Sequence, residues 1–370
     1  MMAAPRHQTA RNPARRIAAG LTLLALAGLA APDAWAQAPG VDSFGPITGA
    51  TPTKAPASIS LDKPGRAEAG KDSAKKGAAG EEKANREKAG PEKTDTAYGA
   101  YQRGHFKTAL DLAVKRANAS DDPVAMVLAG QLLSIGYGVR QDSTAARAWF
   151  EAAAAKGNPD ALFALGSIKM QSSSTQQKDE AVELFRKAAE KGNAEAAYNL
   201  GLVYLQGLVA PKEPAMAADW FRRAADEDQP DALYALAILY RDGKGVPKDP
   251  LESARLLLRA SDLGNVVATT ELAIMVFNGT GVPKDEERAA GLFRKAALAG
   301  NAIAENRYAR ILSAGRGVPE DKVAAAAWHM MAKAQKLDDP MLDKMVAALS
   351  PEQRTEAENR AKAWSAVAAM

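Results

Sequence analysis

A chain of 370 residues has room for more than one domain, yet its first quarter carries too little large apolar surface to join a core. The net charge of +4 does not point to nucleic acid, because four arginines and Asp33 lie within residues 1–36, and a mature chain beginning at Gln37 carries only +1. The absence of cysteine excludes disulfides, thiolate metal sites, a cysteine nucleophile and a lipid-bearing cysteine.

Arg6, Arg11, Arg15 and Arg16 precede an apolar run from Ile17 to Ala31, and Ala34-Trp35-Ala36 offers small residues where a signal peptidase reads. Residues 1–36 therefore read as a secretory signal peptide, too short in its apolar run to be a spanning helix of roughly 20 residues. The expected location is the periplasm, with no integral membrane segment after cleavage. An uncleaved leader would instead tether the protein to the inner membrane. Residues 37–94 are rich in Pro, Gly, Ala, Lys and Glu and read as a disordered linker, about 40 Å in average span if it behaves as a flexible coil.

Tyr98, Tyr101, Phe106, Ala109, Leu110 and Ala113 fall at helical spacing around Gly104, which predicts a capping helical hairpin over 95–122. Beyond it the chain repeats. Gly243-Lys244-Gly245-Val246-Pro247-Lys248-Asp249 returns at Gly279 and again at Gly315, a period of 36. A period of this size marks a solenoid, since one helix pair cannot bury its apolar face without stacking on a copy of itself. Six repeats are expected, over 123–158, 159–193, 194–229, 230–265, 266–301 and 302–338; the second is one residue short and lacks the glycine loop. Asp142, Asp249, Asp285 and Asp321 are placed to cap second helices, and Trp149, Trp220 and Trp328, with Phe150, Phe185, Phe221 and Phe293, to fill the core. Ser350-Pro351-Glu352-Gln353 reads as a capping box within C-terminal capping helices over 339–370.

Leu200-Gly201-Leu202-Val203-Tyr204, the loop from Gly243 to Asp249, and Trp220-Phe221-Arg222-Arg223-Ala224-Ala225 resemble the Sel-1-like repeat family, relatives of tetratricopeptide repeats. The resemblance implies an all-α fold, a right-handed α-solenoid whose first helices line a concave groove, and a role in assembling other proteins. Exported bacterial members act in envelope signalling, surface polysaccharide production or secretion. Cysteine-rich members are linked to penicillin binding or β-lactam hydrolysis, but their cysteine framework is missing here.

By similarity to tetratricopeptide grooves, the inward positions of each first helix make a candidate binding groove of Phe163, Met170, Tyr198, Leu202, Tyr234, Ile238, Arg241, Phe277, Asn306 and Arg310. Aromatic and aliphatic anchors would hold a protein or peptide partner, with a carboxylate or polar end near the arginines. The competing reading is that the tyrosines simply pack on adjacent helices. His105 lies at a helix start and His329 replaces an aromatic core residue, so the sequence presents no catalytic triad, metal site or cofactor motif. The expected protein is a non-enzymatic periplasmic scaffold or regulator without cofactors; the alternative is a cell-wall-active envelope enzyme working on peptidoglycan or β-lactams.

Overall fold

The computed structural model describes residues 96–207 and 209–368, which form sixteen α-helices and no strand. The predicted leader and linker lie outside the described residues. The fold is an all-α solenoid of stacked helix pairs. The described residues divide into two compact units between Ser173 and Ser174, inside the one loop that has lost its glycines.

The first unit holds α1 (Thr96–Gln102), α2 (Phe106–Ser120), α3 (Pro123–Ile135), α4 (Ser143–Ala155) and α5 (Pro159–Met170). Ala97, Ala100, Ala109 and Ala113 bury against Leu128, Ala129 and Leu132, with Trp149 packed beside them. Small residues on α1 and α2 let the hairpin lie close on α3. Tyr98, Tyr101, Phe106 and Tyr137 follow one another in ring contacts 5.6–6.2 Å apart.

The second unit runs through α6 (Thr175–Glu190), α7 (Ala194–Gln206), α8 (Pro214–Asp226), α9 (Pro230–Asp242), α10 (Pro250–Asp262), α11 (Val266–Asn278), α12 (Glu286–Leu298), α13 (Ala302–Ala314), α14 (Lys322–Ala334), α15 (Pro340–Ala347) and α16 (Pro351–Ala368). From α7 to α14 the helices pack in pairs, and the second helix of each pair lies on the first helix of the next.

Within a pair, contact is made by a bulky side chain meeting a small one. A Cβ added to Gly201 would stand 2.5 Å from Cδ1 of Phe221, and one added to Gly130 would stand 2.7 Å from Cε1 of Phe150. Both rings are fully buried. At the period of 36, Leu257, Phe293 and His329 take the place of Phe221, and all three are buried.

The loop between paired helices closes in one recurring way. The N-cap amide of the second helix donates to a carbonyl nine residues earlier: Asp142 to Leu133, Glu213 to Tyr204, Asp249 to Tyr240, Asp285 to Val276 and Asp321 to Leu312, at 2.8–3.0 Å. The side chains of Asp142, Asp249, Asp285 and Asp321 then accept from amides of the first helical turn, as expected of caps. First helices are capped in turn by Asn158, Asn193, Gln229, Asn265 and Asn301.

The second glycine of the loop does more than adopt a positive φ. At Gly245 (φ +74°) a Cβ would lie 2.5 Å from the amide nitrogen of Ala215, in the first turn of α8 in the preceding repeat. Gly281 and Gly317 sit the same way on Pro250 and Glu286. These glycines therefore set how closely one repeat approaches the last.

At the C-terminal end, Trp328 stacks on Trp364 with centroids 4.6 Å apart. Ser350 and Gln353 form the reciprocal capping box, Ser350 N–H donating to Gln353 Oε1 at 3.0 Å and Gln353 N–H to Ser350 Oγ at 3.2 Å. Trp328 is a core residue. Trp220, expected to be one too, is only half-buried, and the Arg223 guanidinium covers its ring at 4.5 Å from the centroid.

Candidate functional site

The first helices carry the candidate groove, and the structure sorts its residues into three groups. Phe163 and Met170 of the first unit are buried, as are Tyr198 and Leu202 of the second. The Tyr198 ring lies 5.7 Å from that of Phe221, and burial pushes its hydroxyl above the usual tyrosine pKa. These four side chains are packed between helices, which removes them from an accessible surface.

Tyr234, Ile238, Arg241 and Phe277 form the second group and are only partly buried. Arg241 donates through Nε to Asp242 Oδ1 at 2.9 Å and through Nη1 to Glu271 Oε2 at 3.0 Å, bridging α9 and α11. Burial alone would raise the Asp242 pKa, but hydrogen bonds from Arg241 and Lys244 carry it below the ordinary range. Glu271 stays above the ordinary range because burial outweighs its pairing with Arg241. The Phe277 ring is covered on one side by the Arg316 guanidinium, 4.3 Å from its centroid, and Arg316 is itself paired with Glu286.

The third group is Asn306 and Arg310, and here the expected partner carboxylate belongs to the chain itself. Asn306 Nδ2 donates to Asp339 Oδ2 at 2.8 Å and Arg310 Nε to the same oxygen at 2.6 Å. Asp339 is 2% exposed and caps α15 through the amides of Met341 and Leu342. Its burial would raise its pKa, but the bonds from Arg310, Asn306 and the Leu342 amide hold it at about 2. A carboxyl that is more acidic in the folded chain than in the unfolded chain adds stability above its unfolded value, and that stability disappears as the pH falls. The C-terminal cap should therefore lose about 2 kcal/mol between pH 4 and pH 2. Asp339→Asn should remove that acid step, measured as urea midpoint against pH.

On the other side of the pairs, Arg186 Nη2 donates to the Tyr204 hydroxyl at 3.2 Å, and Arg222 bonds Tyr240 one repeat later. An open cleft of about 330 Å³ lies beside Arg186 and Tyr204, next to the third loop, where Val209 stands at the position that glycine holds in later repeats. Among the described residues no group of three or more His, Asp or Glu side chains is placed to hold a metal ion, and no helix is long and apolar enough to cross a membrane.

Residues 194–229, 230–265, 266–301 and 302–336 each match the model of the Sel1 repeat, and residues 138–208 match that of plant tetratrico peptide repeats. The chain is 30% identical to a Sel1 repeat protein from Oxalobacter formigenes, across 65% of its own length and 70% of the other chain, with a TM-score of 0.56. It belongs to the Sel1 repeat family. This Sel1 protein is also similar to a protective antigen of uropathogenic Escherichia coli strains displaying an SLR fold, at 27% identity and a TM-score of 0.65. That match covers 74% of the present chain and spans 60% of the antigen's length. No curated protein matches the chain. Sel1 repeats typically serve as scaffolds for protein–protein interaction.

Proposed function

We propose that this Sel1 protein is a non-enzymatic scaffold or regulator of the bacterial envelope, exported to the periplasm, which holds a protein or peptide partner along its first helices. The observation that carries the reading is the partial exposure of Tyr234, Ile238 and Phe277 on helices whose Leu233, Leu236, Leu239, Leu272, Met275 and Val276 are buried. Repeat packing does not require bulky side chains there, since Thr270 and Asn306 occupy the position of Tyr234 in the next two repeats. Tyrosine is well suited to such an anchor, because it offers a large rigid ring and a wet hydroxyl at low entropic cost.

Arg241 enters this surface already neutralised by Asp242 and Glu271. The partner segment is therefore apolar at its centre and does not need an acidic residue opposite Arg241. A paired arginine gains little from another carboxylate, while its displaced partners would be left half-buried.

The test is cross-linked capture from envelope extract with the whole chain as bait. The Tyr234→Ala/Ile238→Ser variant should recover the partner at least tenfold less while keeping the parent's helical circular dichroism and cooperative unfolding, because neither side chain belongs to the fully buried core. Tyr198→Ala should instead cost about 3 kcal/mol of stability, as for any buried aromatic ring. Equal recovery by parent and double variant would end the groove reading.

A further inference from the structure

The last repeat departs from its copies at two core positions. Leu233 and Thr269 are followed, at the period of 36, by Glu305, and Leu257 and Phe293 by His329. Both replacements are at most 2% exposed. Thr269 satisfies its hydroxyl on Ser261 Oγ at 2.8 Å. Glu305 is satisfied at one oxygen only: Oε2 accepts from Gln335 Nε2 at 3.0 Å, and Oε1 is buried without a partner.

Gln335 and Asp339 are the two ends of the connector that leads from α14 to α15. They are gripped by adjacent residues of α13, Gln335 by Glu305 and Asp339 by Asn306 with Arg310. Lys336, inside the connector, has φ +68°. The helix that the connector delivers has little apolar hold of its own. Of α15 only Leu342 is buried, and Met341 is 51% exposed. Its other tie is polar as well, Asp343 meeting His329 Nε2 at 2.9 Å and Lys333 Nζ at 2.7 Å.

We propose that Glu305 is the proton-sensitive element of a latch on the 335–339 connector, and that its ionisation loosens α15 from the last repeat. A protonated Glu305 can lie in an apolar slot with one hydrogen bond. An ionised one is a buried anion with an unpartnered oxygen, which gains by reaching water, and Gln335 is the side chain bonded across it. Burial raises its pKa to about 7 against the opposing bond from Gln335.

Among the described residues, burial and the Gln335 bond alone act on the Glu305 carboxyl, and no cation compensates. On α12, Lys295 is bonded to Ser261 and Arg294 acts on Tyr308. On α13, Arg310 is committed to Asp339, and on α14, Lys333 is committed to Asp343. Asp339 and Asp343 are both held below the ordinary carboxylate range and stay ionised throughout the window concerned. His329 is buried and meets Asp343 of α15, so it needs its own control.

A carboxyl with a raised folded pKa favours the closed state while protonated, and that preference fades as the pH climbs from the unfolded value through the folded one. Between pH 5.5 and pH 8.5 the opening equilibrium should rise about thirtyfold, for a group titrating near 7 closed and near 4.5 open.

The experiment is amide hydrogen exchange of the full chain across this range, corrected for the intrinsic pH dependence of exchange and read on peptides covering 331–349. The parent should lose about thirtyfold in protection there, with α9 and α10 unchanged. Glu305→Gln should flatten the dependence. Glu305→Leu, which restores the residue type of Leu233, should flatten it and raise protection at high pH. A flat parent profile would overturn the latch. So would a dependence that survives in Glu305→Gln and vanishes in His329→Gln, which would give the titration to the histidine.

Discussion

Gly245→Ala is expected to destabilise the second unit by about 3 kcal/mol or more and to split its unfolding transition. Two costs combine. A non-glycine residue at φ +74° carries about 1–2 kcal/mol of left-handed strain, and the new methyl would drive into the backbone of the first turn of α8. The second cost cannot be relieved by turning a side chain, because the obstructing atoms are the Pro214 carbonyl and the Ala215 amide.

Gly264→Ala is the matching control. Gly264 has φ +92°, yet a Cβ there would meet nothing within 4 Å. It should lose only the torsional part, about 1–2 kcal/mol. The two variants thus separate conformational strain from inter-repeat contact. Because a solenoid gains stability from each interface with its neighbour, a wedge between the third and fourth repeats should uncouple them. Urea unfolding followed by circular dichroism should show a broadened or two-step transition for Gly245→Ala and a single shifted one for Gly264→Ala. A Gly245→Ala loss no larger than that of Gly264→Ala would mean that the loop moves aside freely.

Much of this architecture was legible in the sequence because it is periodic. The spacing of Gly243, Gly279 and Gly315 announces stacked helix pairs, and Asp249, Asp285 and Asp321 recur where a second helix must begin. The role of the second glycine was only half legible. Positive φ can be inferred from a Gly-x-Gly loop, but its approach to the preceding helix depends on packing 31 residues away in the chain. The asparagine caps at Asn158, Asn193, Asn265 and Asn301 carried a signal in their regular spacing that sequence reasoning passed over.

The candidate groove was less legible, for a physical reason. Each residue turns an α-helix by about 100°, so neighbouring positions on a first helix face different surroundings. Tyr198 and Tyr234 occupy the same register, yet one is buried and the other only partly so. Position in the repeat does not resolve that difference. Asn306 and Arg310 illustrate a second limit. Their chemistry suits a carboxylate, and the sequence could not say that Asp339 would supply one, because that contact forms only when the cap helix folds back.

Phe221→Ala should cost 3–5 kcal/mol, about what removal of a fully buried ring costs, and its coupling to Gly201 is the more informative quantity. Gly201→Ala gains about 1 kcal/mol in helix propensity and loses more than that by pressing a methyl onto the Phe221 ring. If the Phe221 ring is what forbids a side chain at 201, trimming the ring must relieve the clash. The Gly201→Ala/Phe221→Leu pair should therefore be more stable than the sum of its single changes by at least about 1 kcal/mol. The fourth repeat already carries that combination, Ala237 with Leu257, both fully buried. The fifth sets Ala273 against Phe293, so a ring and a methyl can share the site once the pair has shifted. Coupling near zero in urea titrations of the four proteins would show that α7 and α8 make the same shift without strain, and that the glycine serves the helix contact less than the geometry implies.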